Sequence, residues 1–313
     1  MKAIRVFEYG KPPVLTEMPT PTIADDEVLV KVRSTAVNHL DLVEASGMAK
    51  EFFPIHLPWV PGHEFSGVVE RVGSRVKSFA PGDAVFGNSK SGGTYADYVA
   101  AEPAVIVKKP ANLSDEEATS VPVAAQTAWQ GVFTHGRLAK GQTILIHGGA
   151  GGVGAYAVQL AAQAGANVVV TGSGDDVAYL KSIGASRVID YRAARFENEL
   201  PDKVDVVFDL IGGETQQRSF QVLKKGGYLV AANQPVAQEQ AARYGVTGLM
   251  MNLVPSAEGL GRIARLLEEG KLRADVSTVY ALEDTAKAWE AMAGGPASAA
   301  TRRGHGKVVL RVA

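Results

Sequence analysis

The sequence predicts an α/β protein of two domains, one β-rich and one a doubly wound parallel sheet. Three observations predict it. Residues 2–108 hold short strand-like segments separated by Pro and Gly turns, apolar runs alternate with helical segments from residue 112 onward, and a glycine-rich turn joins the first of those runs to a helix. With 313 residues, 46% of them hydrophobic and 21% charged, the chain can bury two cores of ordinary size.

In the β-rich part the strand-like segments are 2–7, 27–37, 67–72, 84–87, 95–99 and 105–108. Pro12-Pro13, Pro61-Gly62 and Pro81-Gly82 mark turns between them. Ser114-Asp115-Glu116-Glu117 then reads as a helix start, because a hydroxyl and carboxylates suit the unpaired N–H groups there. The next strands are expected at 143–147, 167–171, 187–189, 205–209 and 227–232, mostly continuous apolar runs of the kind covered by helices on both faces. Helices are expected between them at 153–164, 176–183 and 214–224. The tail predicts a helix over 257–269, a strand over 276–280, a helix over 283–292 and a closing strand over 307–312, with a Gly/Ala/Ser-rich loop at 293–303. It is expected to return to the first domain, giving one domain from 1–117 with 254–313 and another from 118–253.

The 32 basic and 33 acidic side chains nearly cancel, so no positive field favours nucleic acid or an anionic membrane. No apolar stretch is long enough to cross a bilayer and no signal-like segment follows Met1, which makes the cytoplasm the expected compartment. The chain has no cysteine; disulfides, thiol catalysis and cysteine-ligated zinc are excluded.

The strongest local signal is the segment 144–154, a strand that breaks into Gly148-Gly149-Ala150-Gly151-Gly152-Val153-Gly154 and opens into a helix. Gly149, Gly151 and Gly154 form a GxGxxG pattern in a βαβ context, the arrangement that binds a dinucleotide. Gly149 is expected to make the tight turn, Gly151 to let the backbone approach a pyrophosphate, and Gly154 to let the helix lie close to the sheet. Five glycines in seven positions would be a large entropic cost for a mere corner. An acidic residue about 20 positions further on takes the ribose hydroxyls in NAD enzymes; here Ser173 stands at the strand end, which favours NADP. Tyr191 and Arg192 are candidates for the 2′-phosphate, while the neighbouring Asp175 and Asp176 argue the other way.

Four segments resemble the medium-chain dehydrogenase/reductase superfamily, and most of all its quinone oxidoreductase, or zeta-crystallin-like, branch: 61–69, 79–87, the glycine turn and 208–213. The similarity runs the length of the chain. It implies a GroES-like β-domain carrying the substrate site, a Rossmann NADP-binding domain, nicotinamide in the cleft between them, and a homodimer. In the zinc alcohol dehydrogenases of the superfamily two cysteines and a histidine hold catalytic zinc; by spacing, the cysteine positions fall on Asn38 and Val123, with His63 as the histidine. Asn and Val cannot replace two thiolates, so no catalytic metal is expected, and His63 and Glu64 are read as hydrogen-bonded structural residues in preference to a metal site with Asp41.

The resemblance further implies that Asn38 donates its amide N–H to the acceptor and that Thr127 lies near the nicotinamide; otherwise these are a turn residue and a helix-packing residue. A substrate-side Tyr of the branch is Val43 here. Arg302, Arg303 and Lys307 are candidates for cofactor contacts. Without a metal Lewis acid, hydride transfer from NADPH suits a small-molecule electron acceptor, a quinone or similar, that spreads the incoming charge. Two alternatives stay open: reduction of an α,β-unsaturated carbonyl, and a non-catalytic NADPH-binding sensor.

Overall fold

The computed structural model describes residues 1–294 and 304–312. It divides into two units, Met1–Val123 with Pro255–Ala313, and Ala124–Val254. The first unit opens with β1 (Lys2–Arg5), β2 (Val14–Glu17), β3 (Val28–Ala36), α1 (His39–Ser46), β4 (Glu64–Val72), β5 (Ala84–Asn88), β6 (Tyr98–Ala101), β7 (Ile106–Lys108) and α2 (Asp115–Thr119). α3 (Pro122–Trp129) runs into a π-helical turn, Gln130–His135. The second unit continues with β8 (Thr143–His147), α4 (Gly152–Gln163), β9 (Asn167–Gly172), α5 (Val177–Ser182), β10 (Arg187–Asp190), α6 (Phe196–Glu199), β11 (Val204–Asp209), α7 (Gly213–Ser219), β12 (Leu223–Ala231), α8 (Gln238–Tyr244) and β13 (Thr247–Met250). The chain then re-enters the first unit with α9 (Ala257–Glu268), β14 (Val276–Ala281), α10 (Thr285–Ala293) and β15 (Lys307–Arg311).

In the first unit the strand order is β14-β15-β3-β4-β5-β7, with β6 also on β3. β3 carries the core: Val28, Val30 and Val32 are fully buried with Phe65, Val69 and Val99, and Leu29 is buried too; burial alternates only over 30–33, where Lys31 and Arg33 are half-buried, the period of two that a strand imposes. β15 pairs antiparallel with β3 through Val309↔Ala36 and Leu310↔Thr35, which ties the end of the chain to its beginning. α2 packs on β3 and β4, keeping 118–123 with this unit.

The second unit is a six-stranded, all-parallel sheet in the order β10-β9-β8-β11-β12-β13. Ile144, Leu145, Ile146, Val168, Val170 and Val207 are buried on its two faces, as continuous apolar runs require. The order reverses between β8 and β11, and the loops after these two strands therefore open a crevice at their carboxyl ends.

Several elements are not expected from the sequence, among them β2, α3, α6 and α8. α1 is a helix where the sequence predicts no element. The helix expected over 214–224 stops at Ser219, because Leu223 is buried and pairs with Val204 before the register shifts at the Lys224–Gly227 bulge. β13 is a sixth strand, too short and too exposed to read as an apolar run.

Candidate active site

The glycine turn follows β8 directly. Its left-handed residue is Gly148, at φ +77°, so the tight turn falls there and not on Gly149. A side chain on Gly149 would instead meet Val170 Cγ1 at 2.0 Å, and one on Gly154 would meet the Gly148 carbonyl oxygen at 2.3 Å. These two glycines are demanded by the protein's own packing. Gly151 is not: a Cβ there would find only the Gly148 oxygen, at an ordinary 3.5 Å, and its φ of −76° suits any residue. Gly151 is the N-cap of α4, and the N–H groups of Gly152, Val153 and Gly154 open the helix with no carbonyl one turn earlier to receive them. A bare backbone beside free N–H groups and the positive end of a helix fits a phosphate; Ala150 completes the loop.

Two buried polar groups end the neighbouring strands β8 and β11. His147, the last residue of β8, is fully buried, with Nε2 2.9 Å from Ser219 Oγ and Nδ1 3.1 Å from Thr171 Oγ1. Burial outweighs the attraction of Asp209 and pulls its pKa down to about 4, so the ring is neutral. Asp209, at the end of β11, accepts from the N–H groups of Ile211 and Gly212 (both 3.0 Å) and from Gln216 Nε2 (3.1 Å). That explains the 208–213 segment as a turn built on one buried carboxylate.

At the end of β9 the structure brings together Ser173, Tyr191 and Arg192, because the Tyr191 N–H donates to the Gly172 carbonyl. Arg192 lies 5.6 Å over the exposed Tyr191 ring. The acidic side chains are equally near. Ser173 donates both its N–H (2.9 Å) and its hydroxyl (2.6 Å) to Asp176 Oδ2, Arg192 is 3.9 Å from Asp175, and the Arg192 N–H donates to Asp190. Ser173 thus does not stand alone in place of a carboxylate; it carries one.

In the first unit Asn38 caps α1 and is buried. Its Nδ2 donates to Glu64 Oε1 (2.9 Å) and, at a long 3.4 Å, to the Ala36 carbonyl. Its Oδ1 accepts from the Lys307 ammonium. Glu64, fully buried, also takes Lys307 Nζ at 2.8 Å and the Val123 N–H at 2.7 Å. Lys307, expected as a cofactor contact, is therefore turned inward into an ion pair. Asn38 and Val123, the positions at which the zinc enzymes carry thiolates, offer here an amide already bonded on both sides and a backbone N–H already given to Glu64. This donor set does not fit a catalytic zinc.

His63 immediately precedes β4, which Glu64 opens, and the two take different partners. His63 joins Asp41 and Glu44 of α1 instead: Nε2 is 2.8 Å from Glu44 Oε2 and 3.6 Å from Asp41 Oδ1. Asp41 already accepts from the Asn38 N–H (2.7 Å), the Gly62 N–H (3.1 Å) and the Tyr95 hydroxyl (2.9 Å). Burial raises the Asp41 pKa against these partners, and burial then the Asp41 charge hold Tyr95 well above its ordinary value. For His63, burial acts downward, but the Glu44 hydrogen bond and the charges of Asp41, Glu44 and Glu64 outweigh it. The three ligand-type atoms lie within 4.8 Å of one another, yet each is committed to a partner inside the protein.

Thr127 lies on α3, nearly buried, just ahead of the π-helical turn, a distortion that recurs at functional sites. Val43 lies half-buried on α1. Arg302 and Arg303 lie outside the described residues. Sequence reasoning missed Glu44 and the inward role of Lys307. An Asn-x-x-Asp pattern at 38–41 signals a helix N-terminus, and on that helix Glu44 falls one turn from Asp41; nothing local signals the Lys307 contact.

Family models match the chain at residues 24–111, as an alcohol dehydrogenase GroES-like domain, and at 183–310, as a zinc-binding dehydrogenase. The chain is 36% identical over 286 residues to a 2-methylene-furan-3-one reductase of Solanum lycopersicum, covering 87% of this chain and 70% of that protein. It is 34% identical to an NADPH-dependent alkenal/one oxidoreductase, chloroplastic, of Arabidopsis thaliana, covering 87% and 71%. Among solved structures it is similar to the quinone oxidoreductase from Coxiella burnetii, with a TM-score of 0.92 and 33% identity over 100% of this chain and 99% of that one.

Proposed function

The chain belongs to the medium-chain dehydrogenase/reductase superfamily as a quinone oxidoreductase-like enzyme, and from that premise we propose that it transfers hydride from NADPH to a quinone or similar electron-poor acceptor, without zinc. The observation that carries the reading is a pairing. A dinucleotide-type turn leaves Gly151 bare where its own packing would tolerate a side chain, and Asn38 and Val123 stand where a thiolate metal centre needs ligands.

NADPH, when bound, supplies the hydride. The N–H groups of Gly152, Val153 and Gly154 would receive its pyrophosphate, beside Ala150 and the bare backbone of Gly151, whose own N–H is given to the Gly148 carbonyl. Ser173, Tyr191 and Arg192 meet the 2′-phosphate, and Asp176, held on Ser173, lowers the margin over NADH. Thr127 serves the nicotinamide side. Asn38 serves the acceptor side, releasing its long bond to Ala36 to donate to the acceptor oxygen. A conjugated acceptor delocalises the charge that a metal would otherwise stabilise, and positioning of acceptor against cofactor adds to the gain.

A second reading, reduction of an α,β-unsaturated carbonyl, is favoured by the names of the 36% and 34% identical relatives. The two converge chemically, since a quinone is itself a doubly conjugated carbonyl. Cytosolic location and a homodimer complete the proposal. No helix among the described residues is long and apolar enough to cross a membrane, and β13 leaves one edge unpaired beside the exposed Met250 and Val254.

NADPH carrying deuterium at C4 separates the readings. Incubated with a benzoquinone and, separately, an enone, the protein is expected to consume NADPH with the quinone, and any enone product carries deuterium on the β-carbon. Tight NADPH binding with no turnover of either acceptor contradicts the proposal and points to the sensor.

A further inference from the structure

Lys307 is the only buried lysine or arginine among the described residues. Its backbone is fixed at the start of β15: the N–H donates to the Asp275 carbonyl, the carbonyl accepts from Ser277 Oγ at 3.0 Å, and Gly306 before it holds φ +96° where a Cβ would strike the Asp275 oxygen at 2.0 Å. The side chain, 7% exposed, ends between Glu64 Oε1 and Asn38 Oδ1. An ammonium has three N–H donors, and the described residues accept two. A buried ion pair of this kind adds little stability over an apolar replacement of the same volume, so the pair calls for another reason. The reason lies in where it sits. Asn38 and Val123 occupy the places of two metal ligands, and the group that Glu64 and Asn38 hold between them is a positive charge.

We propose that Lys307 is a catalytic residue, its third N–H donating to the acceptor oxygen on which charge builds as hydride arrives. This rests on the functional reading above. In the step, the C4–H bond of NADPH breaks and its electron pair forms a C–H bond at the acceptor. The acceptor's π electrons move onto oxygen, the cofactor leaves as NADP⁺, and solvent later protonates the oxyanion. Lys307 donates a hydrogen bond and transfers no proton in this step, with the Glu64 carboxylate beside it. Fixed donors aimed at such an oxygen are among the larger contributions to catalysis. The site therefore takes acceptors with a carbonyl oxygen in conjugation, and it assists most those that delocalise charge least.

The test compares wild type with Lys307→Met and with the double variant Lys307→Met/Glu64→Gln, which removes both charges and leaves no unpaired carboxylate in the interior. For each, kcat is measured with a simple enone and with a benzoquinone, and the dissociation constant of NADPH by its bound fluorescence. In the double variant kcat is expected to fall about 10²–10³-fold with the enone and several-fold less with the quinone, at unchanged NADPH affinity. Recovery of wild-type rates in the double variant, or equal losses with both acceptors, would mean a structural pair and would overturn the assignment while leaving the proposed function intact. A wild-type protein that binds NADPH but reduces neither acceptor overturns both.

Discussion

Two glycines of one loop make opposite predictions. At Gly154 a methyl group would sit 2.3 Å from the Gly148 carbonyl oxygen and 2.7 Å from Gly149 Cα, so Gly154→Ala is expected to cost about 1–3 kcal/mol of stability as overpacking, read as a fall in Tm. At Gly151 the same methyl meets only an ordinary contact within the protein. Gly151→Ala is therefore expected to fold with a loss of about 1 kcal/mol or less from the poorer N-cap, but to weaken NADPH binding at least about tenfold, roughly 1.4 kcal/mol. Equal affinity in Gly151→Ala and wild type would remove the phosphate from this turn. Asp176 makes a third prediction at the same scale. Its carboxylate is held against Ser173 by two hydrogen bonds, where it repels a 2′-phosphate and suits a ribose diol. Asp176→Asn is expected to raise the NADPH-over-NADH ratio of kcat/KM by about tenfold, about 1.4 kcal/mol; an unchanged ratio would place the adenosine ribose away from this residue.

Among the elements, β8 and its buried terminal histidine set a pH dependence. His147 titrates near 4 in the folded protein against about 6.5 in an unfolded chain. The unfolded state therefore binds the extra proton between these values. Stability from the neutral ring is fully present above pH 6.5 and is lost as pH falls toward 4, by about 2 kcal/mol between pH 7 and pH 5. Thermal melts at these two pH values are expected to differ more for wild type than for His147→Gln; parallel shifts would contradict the assignment. The strands of this sheet were legible because β8, β9 and β11 are buried on both faces and must be apolar along their length. β13 was not, since four half-exposed residues at an edge carry no such constraint. α1 was hidden for another reason: two of its three buried residues are Asp41 and Glu44, which a search for apolar periodicity passes over.

For the whole molecule, the domain alternation was readable from composition and period, and the glycine turn from its spacing. What the residues around Asn38 do was not, because their partners are brought together only by folding: Lys307 reaches Asn38 across 269 positions of chain, and Glu64 reaches Val123 across 59. The free edge of β13 carries a prediction at this scale. Light scattering is expected to give the mass of two 32.9 kDa chains, and Met250→Glu at the edge to shift it toward one; a wild-type monomer would contradict the dimer. The most direct test of the central claim is the initial rate of NADPH oxidation by protein stripped of metal with a chelator and analysed for zinc, with a benzoquinone, an enone and a simple aldehyde in parallel. Undiminished turnover of the conjugated acceptors, with the aldehyde inert, is the predicted result. Activity that vanishes on stripping and returns with stoichiometric zinc, or that is confined to the aldehyde, would contradict it.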